Sequence, residues 1–259
     1  MNLSELAFAC YVYAGMSDYD ISYNRLRTET SPQVDLAISN HRGALLKWLN
    51  DWGCRQFSKN HHDSASAEIG SWYSIFSPRL FPPQRTLSIL TRQDLGTVEE
   101  AFGDLMHRTA SMRETRNGQI SPIEIGPTGA AKILFALRPE ALVPWDSAIR
   151  SNHNLDGSAR SYLAFLEIVK NHLSELEVEC QRFGINLHEL PAYIERPQSS
   201  LAKLVDEYFW VTITRRCAPP SNSWLMRWPE WACPNMTLQR ILRTAELAVS
   251  CTKEKRWIQ

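Results

Sequence analysis

The chain has 259 residues, enough for one large domain or two modest ones with ample area for a core. Its 28 basic and 28 acidic residues balance, so global charge advertises neither a nucleic-acid partner nor a membrane surface. The six cysteines (Cys10, Cys54, Cys180, Cys217, Cys233 and Cys251) are scattered without a C-x-x-C pair, which argues against a disulfide framework or a zinc site and for free thiols in a reducing compartment.

The chain opens on "MNLSELAFACYVYAGMSDYD", which lacks the basic start and small-residue cleavage site of a signal peptide. No apolar run approaches the ~20 residues of a membrane span, so the sequence predicts a soluble, cytoplasmic protein. Helical periodicity dominates from there on. Residues 3–15 read as an apolar helix. Residues 32–57 read as a second, with Leu36, Leu45, Leu46, Leu49 and Trp52 largely on one face and Pro32 at its first position. His61-His62-Asp63 lies in a Ser-rich stretch with no second ligand pair, so it reads as a loop and no metal site is expected.

Two further helices are predicted, Asp63 to Ser77 and Thr97 to Thr109, with the Pro-rich corner "SPRLFPPQRT" between them. A polar stretch, "RTASMRETRNGQISP", leads into an Ala-rich helix and a Pro-Trp-Asp segment. A long helix from Ser158 to Phe183 follows, then the hinge "GINLHELPAYIERPQSS" and an apolar helix from Ser200 to Thr214. "WVTIT" at 210–214 is β-branched enough for a strand, but its context favours a helix end. A final helix is predicted over Met236 to Val249. With no strand series and no repeat, the expected fold is all-α: a single body over 1–259 made of two helical lobes.

Charge is uneven near the end. From residue 215 onward, Lys and Arg (215, 216, 227, 240, 243, 253, 255, 256) outnumber the acids (230, 246, 254), which fits a basic face or a solvated surface. In the same region Trp224, Trp228 and Trp231, with Arg227 among them, read either as a base-stacking loop or as a Pro-stiffened flap packed on the body.

The most informative block is "SPIEIGPTGAAKILFALRPEALVPWDSAIR". Asp146 follows Pro-Trp at the mouth of a helix, where an aspartate serves as an N-cap on structural grounds alone. The same place suits a carboxylate that must stay ionised, because helix-start amides and the partial positive charge favour the anion. Trp145 reads as a core residue or as a pocket wall. Lys132 and Arg150 read as solvated helix charges or as phosphate anchors. His153 and Asn154 are weaker candidates, and Asp206-Glu207 on the apolar 200–214 helix carries no geometric argument from sequence.

This block resembles the core of the helix-hairpin-helix DNA glycosylase superfamily over roughly residues 120–155. In that superfamily a hairpin with a Gly-x-Gly turn leads into an Ala-rich helix, and an apolar segment then ends at an Asp that begins the next helix. Gly126 matches the second hairpin glycine, Ala130 and Ala131 the tightly packed helix positions, and "LVPWDSAIR" the segment holding the catalytic Asp. The first hairpin glycine is replaced by Glu124, so the hairpin is degenerate, and Thr128 stands where bifunctional members carry a Schiff-base lysine.

The resemblance implies a monofunctional glycosylase that hydrolyses the N-glycosidic bond of a damaged or hypermodified base in double-stranded DNA, in repair or antiviral defence. It implies Asp146 as the catalytic acid, and Gly126, Thr128, Gly129, Lys132, Trp145 and Arg150 along the substrate and DNA surface, in the cleft between the lobes. A monomer is expected, with no cofactor, since no cysteine cluster for an iron–sulfur module follows. The chemistry suits one carboxylate: base departure builds positive charge on the sugar, which an anion beside C1′ stabilises while orienting the attacking water. Two other functions fit the same residues: a non-catalytic nucleic-acid-binding module, and an adaptor in which Asp146 only caps.

Overall fold

A computed structural model of the chain describes residues 1–114 and 117–220. In chain order the elements are α1 (Leu3–Met16), α2 (Tyr19–Glu29), α3 (Ser39–Asp51), α4 (His62–Phe76), α5 (Arg92–Met106), β1 (Thr109–Glu114), β2 (Ile120–Glu124), α6 (Gly126–Leu137), α7 (Ser147–Asn152), α8 (Ala159–Arg182), α9 (Leu190–Tyr193) and α10 (Leu201–Phe209). A π-helical turn, Trp210–Thr214, continues α10. The protein is mainly α. Among the described residues no helix is long and apolar enough to cross a membrane. The tryptophan-rich loop and the helix expected at 236–249 lie outside the described residues.

Three sequence expectations are corrected. The all-α reading becomes mainly α, because the polar stretch at 109–124 is an antiparallel β-hairpin whose register pairs Ser111 with Ile123 and Glu114 with Ile120. Asn117-Gly118 supplies its turn, with Gly118 at φ +76°, a left-handed conformation that glycine adopts without Cβ strain. The helix expected over 32–57 is α3 alone, preceded by the unforeseen α2. Asp35 folds back on the backbone, its Oδ1 accepting from the Ala37 amide (3.0 Å) and its own amide donating to His41 Nδ1 (3.1 Å). That local turn competes with helix, so α3 starts at Ser39 and Pro32 stands ahead of it in a turn. His62, expected in a loop, instead opens α4 one residue ahead of the predicted start at Asp63, and its Nε2 lies 3.0 Å from Asn50 Nδ2.

The start of α5 is set by a capping box. Thr91 Oγ1 accepts from the Asp94 amide and the Thr91 amide donates to Asp94 Oδ2, so the helix begins at Arg92, five residues before the position periodicity suggests. Cys10, Cys54 and Cys180 are buried and free, and Cys217 is a half-buried free thiol.

Packing divides the chain into two compact units, Ser17–Ile168 and the pair of segments Met1–Met16 and Val169 onward. The first is built on aromatic packing. Trp48, Trp52, Tyr23 and Phe135 form one cluster, with Trp48 and Trp52 rings 4.6 Å apart. Phe102, Trp145, Tyr162 and Phe165 form another, in which Phe102 and Tyr162 stack at 4.5 Å.

In the second unit α1 packs on α10, and charge is buried between them. Lys203 lies 4.0 Å above the Tyr13 ring and bonds Glu207 Oε1 (3.2 Å) and Asp206 Oδ2 (3.4 Å), while Arg196 pairs with the same Glu207 oxygen. Glu207 is fully buried and its Oε2 has no hydrogen-bond partner. Burial, reinforced by the Glu207 carboxylate, pushes the Cys10 thiol well up from its ordinary value, so it stays protonated.

Candidate functional site at the start of α7

The base of the β-hairpin delivers the chain to α6. Ile125 donates its amide to the Arg108 carbonyl (2.8 Å), closing the hairpin. Gly126 then turns into the helix at φ +67°. From Gly129 to Leu137 every residue of α6 except Lys132 is buried, so the helix runs through the interior of its unit. Its start is held from outside by the α3–α4 connection: Gln56 Nε2 donates to the Ile125 carbonyl (2.7 Å), and Ser111 Oγ of β1 donates to the Gln56 carbonyl (2.7 Å). The helix ends at Arg138, whose buried guanidinium donates to the carbonyls of Leu137 and Phe81 and so ties the helix end to the Pro-rich corner.

The apolar connector Ala141–Val143 is buried and leads to Trp145. Tyr162 of α8 fixes it by donating to the Val143 carbonyl (3.0 Å), and burial raises the phenol pKa far enough to keep that proton in place. Asp146 is the N-cap of α7. Its backbone is extended and its Oδ1 accepts from the Ile149 amide at 2.8 Å, so the sequence's structural reading holds at this residue. The carboxylate is half-buried.

Around Asp146 the structure gathers three of the other sequence candidates. Trp145 Nε1 donates to the Pro127 carbonyl (3.1 Å), and Arg150 Nη1 donates to Thr128 Oγ1 (3.0 Å). The Arg150 guanidinium also lies 5.4 Å from the centre of the Trp145 ring. Two consecutive residues of the first turn of α6 are thus gripped by the residues one before and four after Asp146. Burial weakens the Arg150 cation, and the Asp146 charge opposes that effect, so the two side chains are electrostatically coupled. Gly157 completes the enclosure: a Cβ there would stand 2.9 Å from the Pro127 ring.

The remaining candidates go elsewhere or take other roles. Trp145 is 1 % exposed, with Phe102, Tyr162 and Phe165 around it, so it serves as core and its faces are not open to a stacked base. Lys132 turns away from solvent phosphates. Its ammonium donates to the Trp52 carbonyl and lies 5.6 Å from the Trp52 ring, beside the buried Cys54 thiol, whose pKa is raised by burial and lowered in part by that ammonium. Gly129 is buried and fixed by packing, since a Cβ would meet Gln56 Nε2 at 2.8 Å and Ile125 Cγ2 at 2.9 Å. His153 caps the C-terminus of α7, Asn154 adopts φ +54°, and Asp206 and Glu207 belong to the buried network on α10.

The element before Gly126 is a β-strand, where the resemblance implies a helix. Glu124 ends that strand, and its Oε1 lies 3.2 Å from His107 Nδ1. The approach to α6 is therefore strand–turn–helix. No protein-family model matches the chain, and neither a curated protein nor a solved structure matches it.

Proposed function

We propose that the chain is a monofunctional DNA glycosylase that hydrolyses the N-glycosidic bond of a damaged or hypermodified base in double-stranded DNA, with Asp146 as its catalytic carboxylate. The supporting observation is the setting of Asp146: a half-buried carboxylate, oriented by the Ile149 amide and electrostatically coupled to Arg150, beside a threonine in place of a lysine. An anion in such a position stabilises the cationic sugar that forms as the base leaves, and accepts a hydrogen bond from the attacking water. Thr128 offers no amine, so the reaction ends at the abasic site and needs no cofactor. The base is reached by rotating it out of the duplex, which costs least at a damaged pair and gives selectivity without sequence reading. The working form is a monomer in the cytoplasm, serving repair or antiviral defence.

One observation favours a second reading. A β-hairpin ending in Glu124 stands where a phosphate-gripping hairpin between helices is expected, which suits a DNA-binding module that has lost catalysis. The test incubates purified protein with duplexes bearing a panel of natural lesions and phage-type modified bases, and scores abasic sites for the wild type and Asp146→Asn. Abasic sites that depend on Asp146 support the enzyme. Sites that persist in the Asn variant remove Asp146 from the mechanism, and salt-sensitive binding with no cleavage supports the binding module.

A further inference from the structure

We infer that Arg150 is a positioning residue for Asp146, and that it acts by locking the first turn of α7 to Thr128 at the first turn of α6. The inference rests on the proposed role of Asp146 and changes the role that sequence suggests for Arg150, that of a DNA phosphate ligand.

A six-residue helix is too short to hold its own first turn rigidly, because few of its backbone bonds are internal. Its orientation must come from side chains that reach other elements. On the Asp146 side the N-cap bond to Ile149 is local to α7 and fixes nothing outside it. Trp145 anchors the chain just before the cap, through the Pro127 carbonyl. Arg150 anchors it one helical turn later, through Thr128 Oγ1. Asp146 therefore stands between the two anchors along the chain, and both anchors are tied to adjacent residues of α6. The guanidinium over the Trp145 ring couples the two anchors.

The partners of Arg150 also bear on its role. A phosphate ligand keeps its donor fork turned to solvent, whereas here Nη1 donates to Thr128 and the residue is half-buried. Thr128 gains a role as well: its hydroxyl accepts the bond that fixes α7.

The test has one readout that needs no DNA. With isoleucines labelled, hydrogen exchange of the Ile149 amide reports whether the Asp146 carboxylate keeps its place. In Arg150→Met that exchange should rise by roughly tenfold, while the Leu134 amide inside α6 stays within about threefold of wild type. Arg150→Lys, which retains a donor to Thr128, should recover most of the protection. Thr128→Val, which keeps the shape and removes the acceptor, should raise the exchange in the same direction.

The second readout uses two 25-base-pair duplexes, one with a cationic pyrrolidine in place of a nucleoside and one with neutral tetrahydrofuran. Wild type should prefer the pyrrolidine duplex by about a hundredfold or more, as expected for a mimic of the cationic sugar. Arg150→Met should lose at least about tenfold of that preference, with tetrahydrofuran affinity within about threefold of wild type. Unchanged Ile149 exchange in Arg150→Met overturns the inference. So does equal weakening for both duplexes with a salt slope reduced by about one, the signature of a lost phosphate contact. If wild type fails to distinguish the duplexes, the glycosylase reading falls, and the Ile149 amide still decides whether Arg150 positions Asp146.

Discussion

At Gly129 an added Cβ would press on Gln56 and on Ile125, and Gln56 cannot retreat without giving up its bond to the Ile125 carbonyl. Alanine there gains about 1 kcal/mol of helix propensity but meets crowding worth more, so Gly129→Ala should cost about 2 kcal/mol in urea unfolding. Gly126 has open space where its Cβ would be and a positive φ instead. Gly126→Ala should cost about 1–2 kcal/mol and Gly126→Asn clearly less, because asparagine tolerates the left-handed region. If the two Gly126 variants are equally unstable, the left-handed turn is not what that position requires. At the adjacent Thr128, lysine would place an amine beside the Arg150 guanidinium, which favours its neutral, nucleophilic form. If the chain is the glycosylase proposed, Thr128→Lys should therefore form an adduct with a duplex containing an abasic site, the amine condensing with the C1′ aldehyde, water leaving and borohydride reducing the imine. Wild type should form none. The grouping of Thr128, Trp145, Asp146 and Arg150 is legible in the sequence because three of the four fall within six positions, and the fourth opens the preceding helix. Gln56 is not legible: it reaches Ile125 across 69 positions, with no local pattern to announce it.

Elements were legible where one local signal acted alone. α1, α4, α8 and α10 follow their apolar periodicity to within one residue at most ends, because nothing along them competes with helix. α3 departs from it because Asp35 bonds its own neighbourhood first. The hairpin had a signal in Asn117-Gly118, but the flanking strands are half exposed and rich in Ser, Thr, Arg and Glu, so their alternation is faint. Polar groups also set where α8 begins. Asp156 Oδ1 accepts from the Ser158 amide, the Ser158 hydroxyl and the Ser161 hydroxyl. Those hydrogen bonds, the Ser158 side chain first, hold its carboxyl down at about 2 against an ordinary 3.8. A carboxyl lowered on folding stabilises the folded start of α8 fully above the ordinary value, and the contribution disappears as pH falls from 3.8 towards 2. The protection of the Ser158 and Ser161 amides, measured against intrinsic exchange at each pH, should fall over that window, and Asp156→Asn should flatten that response. An unchanged response in Asp156→Asn would assign the acid lability to another group.

The division into two units gives the molecule two cores of different character, one aromatic and one carrying a buried ionic network. Replacing one member of a buried network strands the others. In Lys203→Met the Tyr13 ring loses the nearer of its two cations, leaving Arg196 at 5.8 Å, Asp206 loses a partner, and Glu207 loses an ammonium beside an oxygen that already has no hydrogen-bond partner. The cost expected for such a loss is about 3 kcal/mol, or roughly a hundredfold in the local opening equilibrium. Each unit contains a buried thiol that reports its own opening: Cys10 in the ionic unit and Cys54 in the aromatic one, both with pKa values raised by burial. Neither reacts until its surroundings open, so the rate of alkylation by iodoacetamide, followed by peptide mass, tracks each core separately. If the units open as separate structures, Lys203→Met accelerates Cys10 alkylation about a hundredfold and changes Cys54 by less than about threefold. If both thiols accelerate together, the chain opens as one cooperative body, and the single-body expectation from sequence describes its energetics better than the division of its contacts.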